Sequence, residues 1–370
     1  MSWMKDVPLW DQHCHALVGP RRADDMKVFA HAFTEAPDTY PIRDIYETVA
    51  YQEALSTVAQ KLGTSLDPTA VKKALRRLDF SQYCRELLNA GGYQKLLVDT
   101  GFAPNDAWNL DELRLVLSLD IHPILRIENA AQECLSEFND IRDWVAAIKD
   151  VLGRARQMGY VGVKSIIAYR SGLRIYAVDQ DDAERAFEDI RKDGQSRLSD
   201  PRILNYLLWE ITPALIEAAL PIQFHTGYGD PDTDLVQGNP LWLRNYLEHF
   251  IPRGLRVVLL HTYPYHREAG YLASVYPHVY FDVSLALPLA AGGATRIVKE
   301  ALELAPASRF LFASDSHSRP ESFFLAARLW KEALDAYFDG ISRNHHIGPS
   351  VLERWAAMIG WQNCRTVYQL

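Results

Sequence analysis

Short apolar runs alternate with longer amphipathic stretches along the whole chain. Eight of these runs are rich in β-branched residues or leucine and too short for independent helices, so they are predicted as strands. They span residues 7–15, 93–99, 122–127, 160–167, 220–225, 255–261, 279–285 and 310–315. The clearest helical spacing between them covers residues 141–158, 205–219, 241–250 and 294–304. Alternating strands and helices predict an α/β fold with parallel strands, and eight such units favour a closed (β/α)8 TIM barrel.

Two connections are longer than the others. Residues 16–90 follow the first strand and exceed a single crossover, so we predict a helical cap insertion folded over the catalytic mouth. Its helices are expected at residues 45–61, 68–78 and 81–89. The highly charged residues 171–201 are predicted as a solvated helix rather than an interaction surface. No internal repeat or linker is evident, and residues 1–370 are predicted to form one barrel domain.

Composition narrows the classes of protein that fit this pattern. A hydrophobic fraction of 48% and a charged fraction of 23% are those of an ordinary globular protein. The net charge of −8 argues against a nucleic-acid binder, although a local arginine cluster can still hold an anionic substrate. The first ten residues lack an apolar leader, no run is long enough to span a membrane, and four cysteines are scattered. We expect a reduced, cytoplasmic protein with a small-molecule partner; homo-oligomerisation stays open.

Polar side chains with metal-binding chemistry lie in or at the ends of five predicted strands. They are His13, His15, Lys164, His225, His261 and Asp315. Residues i and i+2 of a strand point to the same side, so His13 and His15 can grip one ion together. Imidazoles with a carboxylate suit zinc, with manganese or iron as alternatives.

Each of these residues also has an ordinary structural interpretation. A histidine at a strand end is more often a surface or capping residue, and a buried aspartate can simply cap a helix. The combination favours function, because four different strands contribute polar ends to the same face of the predicted barrel. Packing alone rarely produces that arrangement.

The motifs HCH, FHTG, LLHTYP and FASDS, in this order, resemble the amidohydrolase superfamily, and within it the amidohydrolase-2 group of hydrolases and decarboxylases. The runs GVKSIIAYRSGL and LLHTYPYHREAGYLA are similar to the amidohydrolase-like domain that some proteins carry fused to a glutamine-synthetase-like domain. The resemblance extends from His13 to about Asp315. We expect this chain to lack the second domain.

The resemblance implies a role for each residue. His13, His15 and Asp315 match ligands of the first metal, and His225 matches a further ligand. His261 matches a second-metal ligand in binuclear members and a catalytic base or carbonyl polariser in mononuclear ones.

Lys164 matches the lysine that binuclear members carboxylate on its amine and use to bridge two ions, and we predict that modification. The alternative is a mononuclear site in which Lys164 is a buried amine paired with an acid such as Glu128 or Asp282.

The ligand set predicts hydrolysis. A divalent ion lowers the pKa of its water to about 7, Asp315 can carry the proton to the leaving group, and His261 or the metal can polarise the carbonyl. We therefore predict a metal-dependent hydrolase of an amide, ester or lactone-type bond. Non-oxidative decarboxylation of a small carboxylic acid is the alternative. A purely structural metal site is disfavoured, since it would need neither an open position nor a nearby base.

Candidate substrate residues surround the same face. Arg170 and Arg174 follow the fourth strand, next to Tyr169; Arg126 ends the third strand and His317 follows the eighth. A guanidinium holds a carboxylate bidentately, which predicts an acidic small molecule. Alternatively, these arginines pair with acids of neighbouring loops.

Overall fold

The fold was analysed in a computed structural model that describes residues 2–193 and 197–370. Seven parallel strands form one sheet in chain order, each hydrogen-bonded to the next. They are β1 (Leu9–Cys14), β2 (Tyr93–Asp99), β3 (Asp120–Arg126), β4 (Gly162–Ser165), β5 (Ile222–His225), β6 (Val257–Leu260) and β7 (Val279–Phe281). The predicted α/β fold with a parallel sheet is confirmed at this level.

The predicted eighth strand differs from what is observed. Residues 310–315 form no regular strand and make one isolated parallel bridge, between Phe281 and Phe310. Their backbone nevertheless contacts both edges of the sheet. The Leu311 N–H donates to Phe281 O at 3.0 Å, and the Asp315 N–H donates to His13 O at 3.0 Å. Asp315 has φ of +53°, so an extended strand cannot continue through it.

Helices connect the strands. In chain order they are α1 (Met26–His31), α2 (Ile42–Tyr46), α3 (Val49–Leu62), α4 (Pro68–Leu75), α5 (Phe80–Gly91), α6 (Leu110–Leu117), α7 (Ile127–Glu133), α8 (Ile141–Arg154), α9 (Gln180–Asp193), α10 (Pro201–Glu217), α11 (Arg244–Phe250), α12 (His266–Val275), α13 (Ala286–Ala290), α14 (Ala294–Ala301), α15 (Pro320–Asn344), α16 (Pro349–Ala357) and α17 (Asn363–Tyr368). The four helices predicted between strands are confirmed as α8, α10, α11 and α14, with shifted ends.

The connection between β1 and β2 contains α1 to α5, and the three helices predicted there correspond to α3, α4 and α5. Local sequence explains their ends: Asp67 and Asp79 cap the starts of α4 and α5, and Gly92 ends α5 with φ of +87°. Helices α3 and α5 pack against α15, whereas residues 32–35 reach the carboxyl ends of the strands beside Asp315. The first part of this connection, as far as Thr48, therefore lies near the carboxyl ends of the strands and also borders the loop after β5.

The charged segment after β4 contains α9, and residues 194–196 of that segment lie outside the described residues. The predicted helix is confirmed, but it is not solvated all round. Ala183, Ala186, Phe187 and Ile190 are buried along one side. An amphipathic helix of this kind packs one stripe against the protein and exposes its charges.

The inside of the sheet has its own apolar core. Leu97 of β2 and Ile124 of β3 belong to one buried cluster with Val258 of β6 and Tyr280 of β7. In a sheet ordered β1 to β7, these residues can meet only if the sheet curls and they point to its inside. Tyr368 of α17 belongs to the same cluster, so α17 packs against the apolar core inside the sheet.

Two further observations concern the chemistry of the chain. All four cysteines are free, as the sequence predicts: Cys14, Cys84, Cys134 and Cys364. Among the helices of the described ranges, none combines the length and the apolar character that a membrane crossing requires.

Candidate metal centre

Residues predicted from different strands meet at the carboxyl ends of the sheet. His13 Nε2 and His15 Nε2 lie 3.1 and 3.3 Å from Asp315 Oδ1. His261 Nδ1 lies 3.6 Å from Asp315 Oδ2, and the His225 ring is 4.5 Å from the His261 ring, centre to centre. The strand-end positions that the sequence singles out thus form one cluster.

A buried network of hydrogen bonds orients the His13 ring. The Gln223 side chain donates from Nε2 to Gln12 O at 2.8 Å and to Tyr368 Oη at 2.7 Å, so its Oε1 faces the imidazole. That oxygen lies 3.0 Å from His13 Nδ1 and accepts its proton. His13 Nε2 therefore carries a lone pair, which lies 3.1 Å from Asp315 Oδ1 and 2.9 Å from Lys164 Nζ. Gln223, in the middle of β5, carries no signal in the sequence beyond being polar within an apolar strand.

His261 is held in the same tautomer. The Ser284 hydroxyl donates to Asp282 Oδ1 at 2.6 Å, so it must accept from the His261 Nδ1–H at 2.8 Å. The His261 backbone N–H also donates to Asp282 Oδ1, at 2.8 Å. His261 has φ of +71°, a costly conformation for a residue with a side chain, and these bonds hold it there. Its Nε2 has no hydrogen-bond partner although it is buried.

Glycines give His225 its close neighbours. Gly227, in the FHTG motif, has φ of +65°, and a Cβ there would lie 2.3 Å from Tyr263 O. A Cβ on Gly229 would lie 2.9 Å from His225 Nε2 and 2.3 Å from Tyr169 Oη. The Tyr169 ring packs on His225 with centres 4.2 Å apart. Any larger residue would push the loop after β5 away from the cluster.

Lys164 is buried next to the histidines and is paired with an acid that the sequence analysis did not name. Its Nζ lies 2.9 Å from His13 Nε2 and 3.4 Å from Asp99 Oδ2. Arg126 Nη2 contacts the same Asp99 oxygen at 2.5 Å. Asp99 ends β2, so the rule that selected the other strand-end residues would also have found it.

Glu128 and Asp282, the two examples given for an acid that pairs with Lys164, are occupied elsewhere, and Asp99 is the acid beside it. Glu128 accepts from Ser165 Oγ at 2.6 Å and from the Ile166 N–H at 3.0 Å. Asp282 belongs to the His261 network described above. Lys164 instead reaches the end of β2, two strands away.

The charge states follow from burial and from neighbouring groups. Burial, with the Lys164 charge, lowers the pKa of His13 to about 4. Burial likewise holds the pKa values of His225 and His261 well below their usual range. Burial acts to raise the pKa of Asp315, but His261 and His13 outweigh it and keep the pKa well below its usual range. Neutral imidazoles beside an ionised carboxylate are the forms that bind metal.

These residues fit a divalent cation. His225 Nε2, His261 Nε2 and Asp315 Oδ1 are buried without a hydrogen-bond partner, which native proteins normally avoid. Donor atoms of His13, His261 and Asp315 all lie within 4.8 Å of one another. Lone pairs that converge in this way repel one another unless a cation lies among them, and imidazole with carboxylate is a zinc-type donor set.

The cluster forms the floor of a cavity of about 300 Å3. Of the predicted substrate residues, Arg126, Tyr169, Arg170 and His317 line it. Arg174 does not, and its prediction is corrected: its exposed guanidinium lies 4.4 Å from the centre of the Trp242 ring. Gly172, with φ of +85°, turns the chain between Arg170 and Arg174, which separates the two arginines.

Other lining residues were missed by the sequence analysis because they come from loops. They are Glu35, Phe102, Arg197, Asp230 and Asp232. Arg197 pairs with Asp232 at 2.8 Å, so part of the charged segment after β4 faces the cavity. Burial, with the Asp315 and Asp230 charges, raises the pKa of Glu35 to about 8. No strand-end rule finds loop residues whose position depends on tertiary packing.

Known proteins resemble this chain over almost its full length. The fluG protein of Emericella nidulans is 30% identical over 402 aligned residues, which cover 98% of this chain and 46% of that protein. The chain thus spans about half the length of this curated relative. A Lactobacillus casei structure, provisionally described as a metal-dependent hydrolase, is 38% identical with a TM-score of 0.92, covering 99% of this chain and 96% of that chain.

More distant structures share the fold. Uronate isomerase from Thermotoga maritima superposes with a TM-score of 0.72 at 14% identity, covering 99% of this chain and 95% of that one. The sequence model of the amidohydrolase family matches residues 128–370, more than half of the chain. The chain therefore belongs to the amidohydrolase family.

Proposed function

We propose that this protein is a metal-dependent hydrolase that cleaves an amide, ester or lactone-type bond of a small acidic molecule. The observation that supports this most is the convergence of bare nitrogen and oxygen donors of His225, His261 and Asp315 on the floor of one cavity. A structural metal site would be closed by its ligands, whereas this cluster opens to a space of about 300 Å3.

The architecture proposed with this function is a closed barrel of eight units. Residues 310–315 would form the eighth strand, supported by their hydrogen bonds to Phe281 and His13. The connection at residues 16–90 would form a cap within the same domain, supported by Glu35 on the cavity wall. Active sites of such barrels lie at the carboxyl ends of the strands, where this cluster lies.

His13, His15, His225 and Asp315 would hold the ion, and zinc suits these donors best. A divalent ion there would lower the pKa of a water to about 7 and polarise a carbonyl. Asp315 is ionised and can accept a proton at Oδ2 and return it to the leaving group. His261 presents a bare Nε2, which suits a ligand or a base rather than a hydrogen-bond donor to the carbonyl.

Arg170 would hold the acidic group of the substrate. Its guanidinium lines the cavity and makes no hydrogen bond or ion pair with any described residue, and its Nε is buried without a partner. Arg126 and Arg197 line the same cavity, but they are tied to Asp99 and Asp232. A carboxylate is the group that best satisfies a free, half-buried guanidinium.

Lys164 would belong to the site in one of two forms. Burial lowers its pKa, which supports a neutral amine that can take up CO2 and bridge two ions. The Asp99 carboxylate 3.4 Å away supports the ammonium form instead, since a carbamate would place a second anion beside it. The ammonium form leaves ligands for one ion, which keeps decarboxylation of a small carboxylic acid as the second candidate function.

Metal analysis and a substrate screen test the proposal together. The purified protein is assayed for bound metal and then against amides, lactones, esters and carboxylic acids, with CO2 release followed separately. Hydrolysis without CO2 release is expected. Asp315→Asn should lower kcat by about 100- to 10,000-fold, the usual contribution of a general acid–base group. Undiminished turnover in Asp315→Asn, or CO2 as the only product, would contradict the proposal.

A further inference from the structure

A second cavity of about 490 Å3 lies beside the catalytic one. It is formed by residues at the ends of β1 and β2 and by α6, and Phe102 lines both cavities. The Phe102 ring is 5.1 Å from the His15 ring and 6.0 Å from the His317 ring, both edge-on. Its side chain is nevertheless 44% exposed. An aromatic ring thus separates the candidate metal centre from a neighbouring space.

The polar groups on the wall of this second cavity already have partners. Asn109 caps α6, and Arg114 donates to Ile121 O at 3.0 Å. Thr100 Oγ1 donates to a backbone carbonyl, and Asp99 is bound by Arg126 and by a backbone N–H. These polar atoms already form hydrogen bonds within the protein, so a ligand gains little by hydrogen bonding there.

Asp111 also lines the cavity and accepts from Arg114 Nη1 at 3.1 Å; the remaining lining residues are apolar. Ala16, Val98, Leu113 and Trp108 are buried residues that line the cavity together with Leu110. A concave apolar surface of this size gains free energy by covering an alkyl chain or an aromatic ring. The second cavity therefore offers mainly apolar contacts, since its own arginine and carboxylates are paired, whereas the catalytic cavity offers the unpaired Nε of Arg170.

The two kinds of recognition come from loops after different strands, and both reach the catalytic cavity. Phe102 follows β2 and contacts His15, whereas Arg170 follows β4 and lies near Arg126 and Arg197. We propose that the substrate is amphipathic: its acidic half binds Arg170, and its apolar half, an aryl or alkyl group, enters the cavity behind Phe102. The inference rests on the proposed function, which places the scissile bond between the two halves.

Binding of simple acids tests the apolar subsite without turnover. Phenylacetate, 3-phenylpropionate and 4-phenylbutyrate are compared with acetate, propionate and butyrate by calorimetric titration of the metal-loaded protein. The best phenyl acid should bind about 10- to 100-fold more tightly than its counterpart, the gain expected for burying one aromatic ring. Its binding should also change tryptophan fluorescence, and Trp108→Phe should remove that change because Trp108 lines the cavity.

A matched pair of variants locates the effect. Ala103 lines the second cavity, so Ala103→Trp should abolish the preference for phenyl acids. Leu115 is 81% exposed on α6, so Leu115→Trp should keep it. Equal affinity for both series, or a preference that survives in Ala103→Trp, would overturn the inference. Phenyl-acid binding without hydrolysis of any ester or amide would contradict the proposed reaction and leave the subsite standing; hydrolysis without the preference would do the reverse.

Discussion

Two groups of the same three residue types lie at opposite ends of the sheet. The group at the carboxyl ends is Lys164, Asp99 and His13, and the group at the amino ends is Lys95, Asp120 and His122. In both groups the lysine contacts its aspartate and its histidine. Residue type alone therefore does not distinguish a candidate metal centre from a structural ion-pair cluster.

The surroundings of the two groups differ. His122 Nε2 pairs with Asp120 Oδ1 at 2.9 Å, the Asp120 side chain is 54% exposed, and Lys95 Nζ lies 4.6 Å from the centre of the Trp10 ring. In the group at the carboxyl ends Asp99 is fully buried, and His13 Nε2 lies 3.1 Å from Asp315 Oδ1, which is a bare donor like the neighbouring His261 Nε2. Bare donors that burial keeps from water, rather than charged residues as such, are what make this group suited to metal.

The largest expected effect is on metal content and turnover, and it should occur on substitution of His13 but not of His122. His13→Ala should reduce bound metal from about one ion per chain to almost none and lower turnover by more than about 100-fold, because the ion and the chemistry depend on the same nitrogen. His122→Ala, the matched variant, should keep both. Metal analysis by mass spectrometry and steady-state kinetics measure the two effects. Full metal content and turnover in His13→Ala would remove His13 from the site.

The second largest effect on turnover is expected from substitution of Lys164, compared with substitution of Lys95. Lys164→Met should lower turnover by about 10- to 100-fold, as loss of a group that orients a metal ligand typically does. One ion should remain bound, because Asp99 supports the ammonium form of Lys164. Lys95→Met should leave turnover unchanged and cost about 1 kcal/mol of stability, since its partner is half-exposed.

Native mass spectrometry counts the ions in each variant. Two ions in the parent protein and one in Lys164→Met would instead establish a carboxylated lysine that bridges them. Turnover unchanged in Lys164→Met would contradict both forms of the proposal.

Sequence patterns predict the regular parts of this fold well. All seven observed strands fall on predicted apolar runs, because strands buried on both faces need near-continuous apolar sequence. Residues 310–315 have that pattern without forming a regular strand, since Asp315 adopts a positive φ that hydrophobicity does not encode. Strand-end polarity likewise brings the histidines and Asp315 together, because the carboxyl ends of parallel strands share one edge.

Sequence patterns do not predict site residues whose position depends on a loop, or whose role depends on the tautomer of a histidine. Arg174 and Arg170 are indistinguishable in the sequence, yet the turn at Gly172 takes one of them out of the cavity. Glu35 reaches the cavity from a connection of five helices. Gln223 orients His13 because Gln12 O and Tyr368 Oη, far apart in the sequence, together fix its amide.

The smallest expected effect concerns pH, and it again contrasts the two ends of the sheet. Burial raises the pKa of Asp11, next to His13, to about 8. Its pKa in the unfolded chain is about 4, so the folded protein binds the extra proton between about pH 4 and 8. This stabilisation is present at low pH and is lost as the pH rises through that window.

Asp120 should behave in the opposite sense. Burial acts to raise its pKa, but Lys95 and His122 outweigh it and lower the pKa, so its contribution to stability is lost as the pH falls. Urea unfolding of the metal-free protein and of Asp11→Asn and Asp120→Asn between about pH 3 and 8 measures both effects. The parent should lose stability relative to Asp11→Asn as the pH rises, because Asn stays neutral while Asp11 ionises, whereas it should lose stability relative to Asp120→Asn as the pH falls below about 4. If the stabilities of the two variants relative to the parent changed with pH in the same direction, the opposite pKa shifts of Asp11 and Asp120 would be contradicted.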